Sequence, residues 1–189
     1  GYDAGERIVL PFLRHLGVRR IDVVVGSHPH SDHIGGLISV LEEVSVGRYI
    51  DAGQPYDSWM AGMIEAATES RGIEHVVVAA GGSLSGLGGW GGVVLLPTAP
   101  FVNVGGPAPG GLNNGSVVLR LSRGDQSILL TGDTEHETDA VVAAWGERAK
   151  ARILKVAHHG SRTSSSSVFL KAVQPEIALI SCGIDNKFR

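Results

Sequence analysis

Between residues 28 and 33 the chain reads His28-Pro29-His30-Ser31-Asp32-His33, three imidazoles and a carboxylate in six positions. Neutral imidazole nitrogen and carboxylate oxygen are natural ligands for zinc, manganese or iron. The cluster follows the apolar run Ile21-Asp22-Val23-Val24-Val25, so it falls where a buried strand hands over to a loop. In an extended turn His28 and His30 alternate onto one side and can reach one ion. Asp32 and His33 then open the next helix and can address a second. The competing reading is a histidine-rich polar turn that caps a helix through Ser31 or Asp32.

Two further clusters weigh against that bland reading. Leu129-Leu130-Thr131-Gly132-Asp133 puts a carboxylate at the end of another apolar run, where each oxygen can take a cation. Lys155-Val156-Ala157-His158-His159-Gly160-Ser161 puts a histidine pair at the end of a third. A strand-terminal Asp alone is an ordinary turn residue, and paired histidines alone are ambiguous. Three strand ends that each deliver metal-type ligands predict a site for two divalent ions.

The elements that must position these groups are read from hydrophobic periodicity. Helices are expected over residues 5–16, 35–44, 57–71, 135–148 and 168–173. Met60, Met63, Ile64 and Ala67 share one face of the third and belong to the core. Strands rich in Val, Ile and Leu are expected over 21–26, 48–51, 76–79, 93–96, 116–121, 127–130 and 152–157, with a last one after Pro175. Asp125-Gln126 reads as a hairpin turn. Two glycine-rich stretches, 81–92 and 105–111, lack the strand-turn-helix context of a phosphate-binding loop and read as surface connections. Asp22 reads as a strand-edge residue, and the serines at 164–167 open a helix.

At 189 residues the chain holds one sizeable core, so residues 1–189 read as one domain. It is 43% apolar and 19% charged, a globular composition, with no uninterrupted apolar run of about 18 residues. The net charge of −3 argues against a broad basic surface that grips duplex nucleic acid by neutralising phosphates. A nucleic-acid substrate would need local charge, from metal ions or from Lys155, Arg162 and Lys171. The single Cys182 sits in the apolar run 177–182 and is expected to be a buried, inert thiol.

The order His-x-His-x-Asp-His, strand-end Asp, strand-end His resembles the metallo-β-lactamase superfamily. More narrowly, four segments resemble the hydrolase-like domain of ComEC-type DNA-internalisation competence proteins. They are Ser27-His28-Pro29-His30-Ser31-Asp32-His33-Ile34-Gly35-Gly36, Asn114-Gly115-Ser116-Val117-Val118-Leu119, Leu130-Thr131-Gly132-Asp133 and Leu154-Lys155-Val156-Ala157-His158-His159-Gly160-Ser161. The likeness runs from Tyr2-Asp3-Ala4-Gly5 to Gly183-Ile184-Asp185-Asn186.

This resemblance implies an α/β (α+β) fold, a four-layer αββα sandwich with metals at one sheet edge. It implies that His28 and His30 bind metal 1, that Asp32 and His33 bind metal 2, and that Asp133 bridges two Zn or Mn ions. Adjacent residues leaving a strand point to opposite sides, so one of His158 and His159 ligates directly; His159 matches the final ligand of the His-Gly pattern, and His158 would then face substrate or the groups behind the ligands. Asp32, Asp133 and His158 are the expected catalytic groups, with Asn114 and Ser161 as substrate contacts. Many superfamily members carry a third metal-1 histidine before the bridging Asp. Here that segment offers Asn113, Asn114 and Ser116, which predicts a looser site tolerant of manganese. The family's usual flanking strands are missing, so the chain reads as a piece cut from a larger polypeptide at both ends, with exposed strand edges.

The expected activity is hydrolysis of DNA phosphodiesters during competence-related uptake, by a metal-bridging hydroxide, with Ser161 and Thr163 able to hold phosphate. The partners implied are DNA and a membrane-channel domain of the same bacterial plasma-membrane protein, with this domain on the extracytoplasmic side. The alternatives are hydrolysis of a thioester, lactone or β-lactam, since one fold hosts many chemistries, or a catalytically silent module that guides DNA.

Overall fold

In Arg20–Val25 Val24 is buried, Ile21, Val23 and Val25 are half-buried and Arg20 and Asp22 are exposed, and this strand, β1, starts a parallel three-stranded sheet. A π-helical turn Gly5–Val9 running into helix α1 (Leu10–His15) precedes it. After β1 come α2 (Ser31–Ile34), α3 (Leu37–Glu43), β2 (Ser45–Asp51), α4 (Trp59–Ser70) and β3 (Glu74–Val77). Ser58 caps α4 by accepting from the Ala61 N–H. The structure is a computed structural model that describes residues 2–56, 58–102 and 111–183.

A second sheet of six strands is ordered β4 (Ser83–Leu87), β5 (Trp90–Leu96), β6 (Val118–Arg123), β7 (Gln126–Leu130), β8 (Ile153–Lys155) and β9 (Ile177–Leu179). Its first four strands are antiparallel, and β7, β8 and β9 run parallel. Helices α5 (Gly111–Asn114), α6 (His136–Ala143) and α7 (Ser167–Val173) lie between these strands in sequence.

Three apolar clusters stack the layers. Val24, Val46 and Tyr49 from one face of the first sheet pack on Ile38 and Leu41 of α3 and on Ile64 and Ala67 of α4. The opposite face, through Ile50, meets Val94 and Leu119 of the second sheet. The far face of that sheet, through Leu95, Val118, Leu129 and Leu154, packs on Val142 of α6 and Phe169 and Val173 of α7. Strands β2, β5 and β6 thus serve two cores each, and the order helix, sheet, sheet, helix is the αββα sandwich expected.

The stretch 81–92 corrects the sequence reading. It is a β-hairpin, β4 and β5, joined at Gly88 and Gly89. Its glycine content disguises strand packing: a Cβ on Gly92 would lie 2.9 Å from Leu84 and from Leu87, so only glycine lets the hairpin close. The helix expected over 35–44 is α3, Leu37–Glu43, and a separate turn, α2, precedes it across Gly35-Gly36; the one expected over 135–148 ends with α6 and is followed by a 3₁₀ turn, Gly146–Ala149. The turn before β7 lies at Gly124-Asp125, since Arg123 already pairs with Gln126.

Cys182 is exposed rather than buried. It follows β9, which lies outermost among the described strands, and Ile177, Leu179 and Ile180 are exposed beside it. Most of the glycine-rich stretch 105–111, and Ile184 to Asn186 of the last motif, fall outside the described residues.

Candidate metal centre

The ligand-type residues sit on loops that leave the carboxyl ends of β1, β7 and β8. Leu130 of β7 pairs with Lys155 of β8, so both loops emerge at one edge. The loop after β1 is tied to the second sheet by the Val117 N–H, which donates to the Ser27 carbonyl at 2.8 Å. Gly132 makes the turn to Asp133: its φ is +55°, and a Cβ there would lie 2.6 Å from Ser116. The Asp133 N–H then donates to Ser116 Oγ at 3.1 Å, which fixes the direction of the carboxylate.

Asp133 Oδ2 is 3.1 Å from His33 Nε2, 3.3 Å from His159 Nε2 and 4.0 Å from His28 Nε2. His33 Nε2 and His159 Nε2 are 3.3 Å apart, and Asp32 Oδ2 lies 3.7 and 3.6 Å from them. One ligand atom from each of Asp32, His33, Asp133 and His159 falls within 4.8 Å of all the others. Four ligands at zinc-nitrogen distances of about 2.0–2.1 Å around a tetrahedral ion stand about 3.3–3.4 Å from one another. The observed edges match that cage. His28 Nε2 and His30 Nδ1 form a second convergent pair at 3.0 Å, joined to the first set through Asp133.

Supporting groups aim these side chains. Ser27 Oγ lies 3.2 Å from Nδ1 of both His28 and His33, so both rings present Nε2 to the centre. His159 Nδ1 donates to the Ser181 carbonyl at 2.8 Å, which leaves its Nε2 as the free lone pair. Lys155 Nζ donates to the Gly132 carbonyl at 3.2 Å and stands 3.7 Å from Asp133 Oδ1. That Oδ1 is buried with no hydrogen-bond partner among the described residues. A carboxylate whose Oδ2 meets three imidazole nitrogens, and whose Oδ1 accepts no hydrogen bond from a described residue, fits a divalent cation.

The electrostatics agree. Burial, reinforced by the neighbouring His33, pulls His28 down to about 3, so it is a neutral lone-pair donor. Burial pushes Asp133 up, but the hydrogen bond from His33 and the charges of His33 and His159 outweigh it and hold the carboxyl well below its ordinary range. Burial lowers Lys155, against the pull of Asp133.

His158 and His159 part company through a backbone feature invisible in the sequence. Both adopt left-handed conformations, with φ of +46° and +54°, inside a 3₁₀ turn, Ala157–Gly160. A non-glycine residue held there is strained, and such strain concentrates at functional sites. The turn sends His159 into the cluster and His158 to Glu135, whose Oε1 is 3.0 Å from its Nδ1 though out of hydrogen-bond alignment. Thr163 Oγ1 donates to the same Glu135 oxygen at 2.8 Å. Ser161 and Thr163 line an open cleft of about 600 Å³ together with Asp32, His158 and His159.

Asn114 is not placed as a substrate contact. It is wholly buried. Its Oδ1 accepts from the Glu135 N–H at 2.7 Å and its Nδ2 donates to Glu137 Oε2 at 3.0 Å. It secures the start of α6, and with it the Glu135 that faces His158. Sequence reasoning gave no aiming role to Ser27, Ser116 or Glu135; those of Ser116 and Glu135 depend on partners distant in the chain, whereas Ser27 stands beside the histidines it orients and carried a local signal.

The Asn114 bond holds the Glu137 carboxyl below its ordinary value. A depressed carboxylate stabilises the fold above its unfolded pKa and loses that contribution as pH falls through its folded pKa. Asn114→Ala is therefore expected to destabilise by about 1–2 kcal/mol at pH 7, mostly from the orphaned Glu135 N–H. The Glu137 share of that gap begins to shrink as pH falls past the ordinary glutamate value of about 4.3 and is gone below its depressed folded value. Denaturant melts of both proteins from pH 3 to 7 check this, and a gap that widens on acidification refutes it.

The sequence matches the Metallo-beta-lactamase superfamily over residues 1–184. It is 32% identical to ComE operon protein 3 of Bacillus subtilis (strain 168), over 99% of this chain and 23% of that protein. It is 33% identical to competence protein ComA of Neisseria gonorrhoeae, over 98% of this chain and 23% of that protein. The chain thus spans about a quarter of the length of these relatives.

Among solved structures, the diiron β-hydroxylase CmlA from Streptomyces venezuelae has a TM-score of 0.59 at 15% identity, covering 85% of this chain and 35% of that one. Igni18, a metallo hydrolase from Ignicoccus hospitalis, has a TM-score of 0.54 at 18% identity, covering 83% and 61%. Both likenesses concern the fold. With an αββα sandwich, a metal-type cluster at the sheet edge and a match across nearly its whole length, the chain belongs to the metallo-β-lactamase superfamily and is related to competence proteins of the ComEC type.

Proposed function

We propose that this chain is a hydrolase of DNA phosphodiesters that works with two divalent ions, Zn or Mn. The convergence of four ligand atoms from three strand-end loops, continued to His28 and His30 through Asp133, carries the reading. His28 and His30 would hold one ion, Asp32, His33 and His159 the other, and Asp133 both. When bound, such ions supply Lewis acidity and a water acidified enough to serve as nucleophile near neutral pH.

The chain's own residues do the rest. Asp133, placed by Ser116 and Gly132, sets the spacing of the two ligand groups. Lys155 adds a fixed positive charge beside Asp133, where negative charge gathers on a phosphoryl oxygen. Ser161 offers its hydroxyl proton to a non-bridging oxygen of a phosphate in the cleft, beside a Thr163 whose own proton goes to Glu135, and His158, next to Glu135, faces the same space. Phosphoryl transfer needs positioning and charge more than a covalent nucleophile, which suits a site without a reactive Ser or Cys at its centre.

Two competence proteins among the relatives support DNA as substrate and uptake as its setting. No helix among the described residues is long and apolar enough to cross a membrane. The placement we favour is a domain on the extracytoplasmic side of a bacterial plasma membrane, joined to a channel domain.

Cleavage of labelled single- and double-stranded DNA by the metal-loaded chain, beside thioester and lactone substrates, tests the reading. Turnover of a thioester or lactone without DNA cleavage overturns it. The two histidines supply a sharper check. His159→Ala should weaken metal binding about 10–100-fold or more, whereas His158→Ala should bind metal normally and lose turnover. Titration with a fluorescent zinc competitor reads the difference, and equal losses of affinity would count against the assignment.

A further inference from the structure

Tyr2, Phe12, Tyr56 and Trp59 are the exposed large aromatic side chains among the described residues. Three of them, Tyr2, Tyr56 and Trp59, line two neighbouring grooves of about 610 and 430 Å³, which share Ser31, Asp32, Trp59 and Met60. Trp59, the first residue of α4, stands where the grooves meet and is 71% exposed. Exposed apolar side chains grouped in this way mark an interaction site, whereas scattered ones need no explanation. Both grooves open beside the candidate metal centre. His30 lines the smaller one, and the Tyr56 ring stands 6.4 Å from the His30 ring and nearly perpendicular to it. Asp32 lines both grooves and also the cleft that holds Ser161. A strand with a phosphate at the centre therefore meets an aromatic path that leads away from it towards α4.

The grooves offer rings rather than charge. Neither Lys nor Arg is among their lining residues, so phosphates find no cation there. Asp3 already accepts from the Ser39 hydroxyl at 2.6 Å and from the Glu6 N–H at 2.9 Å. Asp32 turns its Oδ2 to His33 and His159. What remains is the three rings, with Met60 and Pro29 beside them. Such a surface selects a flat, uncharged, polarisable group. Every nucleobase has a π face of that kind, and its stacking on an aromatic side chain is tolerant of sequence.

We infer, resting on the phosphodiesterase reading, that Trp59 and Tyr56 form a stacking platform for unpaired bases, which makes the substrate a single strand rather than a duplex. In a duplex each base face is covered by its neighbours, so rings beside the centre gain nothing from it. A single strand can turn its bases out onto the rings. Stacking then holds the strand along grooves that lack cations, on a chain whose net charge is −3.

The test is fluorescence anisotropy of an end-labelled oligothymidylate mixed with the metal-loaded chain and read before turnover, beside a hairpin duplex of the same length. The single strand should bind about tenfold or more tightly than the duplex. Trp59→Ala should weaken the single strand about 5- to 150-fold, the range that stacking one base on a ring supplies. Trp59→Phe, which keeps a ring, should restore most of the affinity. Because Trp59 is exposed, the fold should survive either change, and an unmoved thermal midpoint checks that it has. The deficit should be the same at low and at high salt, since a stacked base releases no counterions.

No binding, equal binding of strand and duplex, or a Trp59→Ala chain that binds as the parent does overturns the inference. So does attachment through Trp59 to vesicles of phosphatidylglycerol and phosphatidylethanolamine with no oligothymidylate bound, which would make these rings a membrane contact. Hydrolysis of bis(p-nitrophenyl) phosphate by the unaltered metal-loaded chain separates the two readings. Hydrolysis without Trp59-dependent binding of the single strand sinks the platform and leaves the phosphodiesterase. Trp59-dependent binding without hydrolysis leaves the platform and sinks the phosphodiesterase.

Discussion

Asp133→Asn is expected to lower kcat/KM for bis(p-nitrophenyl) phosphate by about a thousandfold or more, which is about 4 kcal/mol of transition-state stabilisation. The substitution keeps the shape of the side chain and removes its charge. In the native chain one oxygen of Asp133 faces His28, His33 and His159, and the other faces Lys155 across 3.7 Å. An amide nitrogen in that position presents N–H groups to imidazole lone pairs or to a cation, and both ligand groups lose their common member. Because Ser116 Oγ holds the backbone N–H of residue 133, the turn itself should survive. A thermal midpoint close to that of the metal-free parent would show that the loss is chemical. A variant that keeps activity within tenfold would remove Asp133 from the centre of the site.

The same residue shows what a sequence can and cannot disclose. Asp133 was legible because a carboxylate after an apolar strand is a local pattern, and the spacing of His28, His30, Asp32 and His33 is local too. The groups that aim these ligands are nonlocal. Ser116 lies 17 residues from Asp133, and Thr163, which donates to Glu135, lies 28 residues from it. No spacing rule reaches that far.

The separation of His158 from His159 was anticipated for the wrong reason. Strand alternation predicts divergent neighbours, but the two residues have already left β8 and diverge in a left-handed turn. Composition misled at the hairpin of β4 and β5, where glycines that look like a loop make room for Leu84 and Leu87. It misled again at Cys182, since an apolar run is buried only if something lies on both its faces, and β9 is outermost among the described strands.

Removing metal should cost thermal stability as well as activity. Three ligand-bearing loops belong to different strands of two sheets, so an ion held by His33, Asp133 and His159 would cross-link the edge of the sandwich. A ligand that binds the folded chain alone stabilises it by about 2.7 kcal/mol at a hundred times its dissociation constant. For a chain of this size about 2–4 °C accompanies each kcal/mol, so chelation should lower Tm by roughly 5–10 °C. Readdition of Zn or Mn should restore it. Asp133→Asn should show little of this response, which separates specific binding from general ionic effects. The shift should also shrink as the medium is acidified, because protons compete with metal for imidazole nitrogens and carboxylates. Calorimetry of both proteins with and without chelator and after readdition, from pH 5 to 8, measures all four. A midpoint that moves by less than about 1 °C on chelation, with no recovery on readdition, would mean that the convergent histidines are not a cation site.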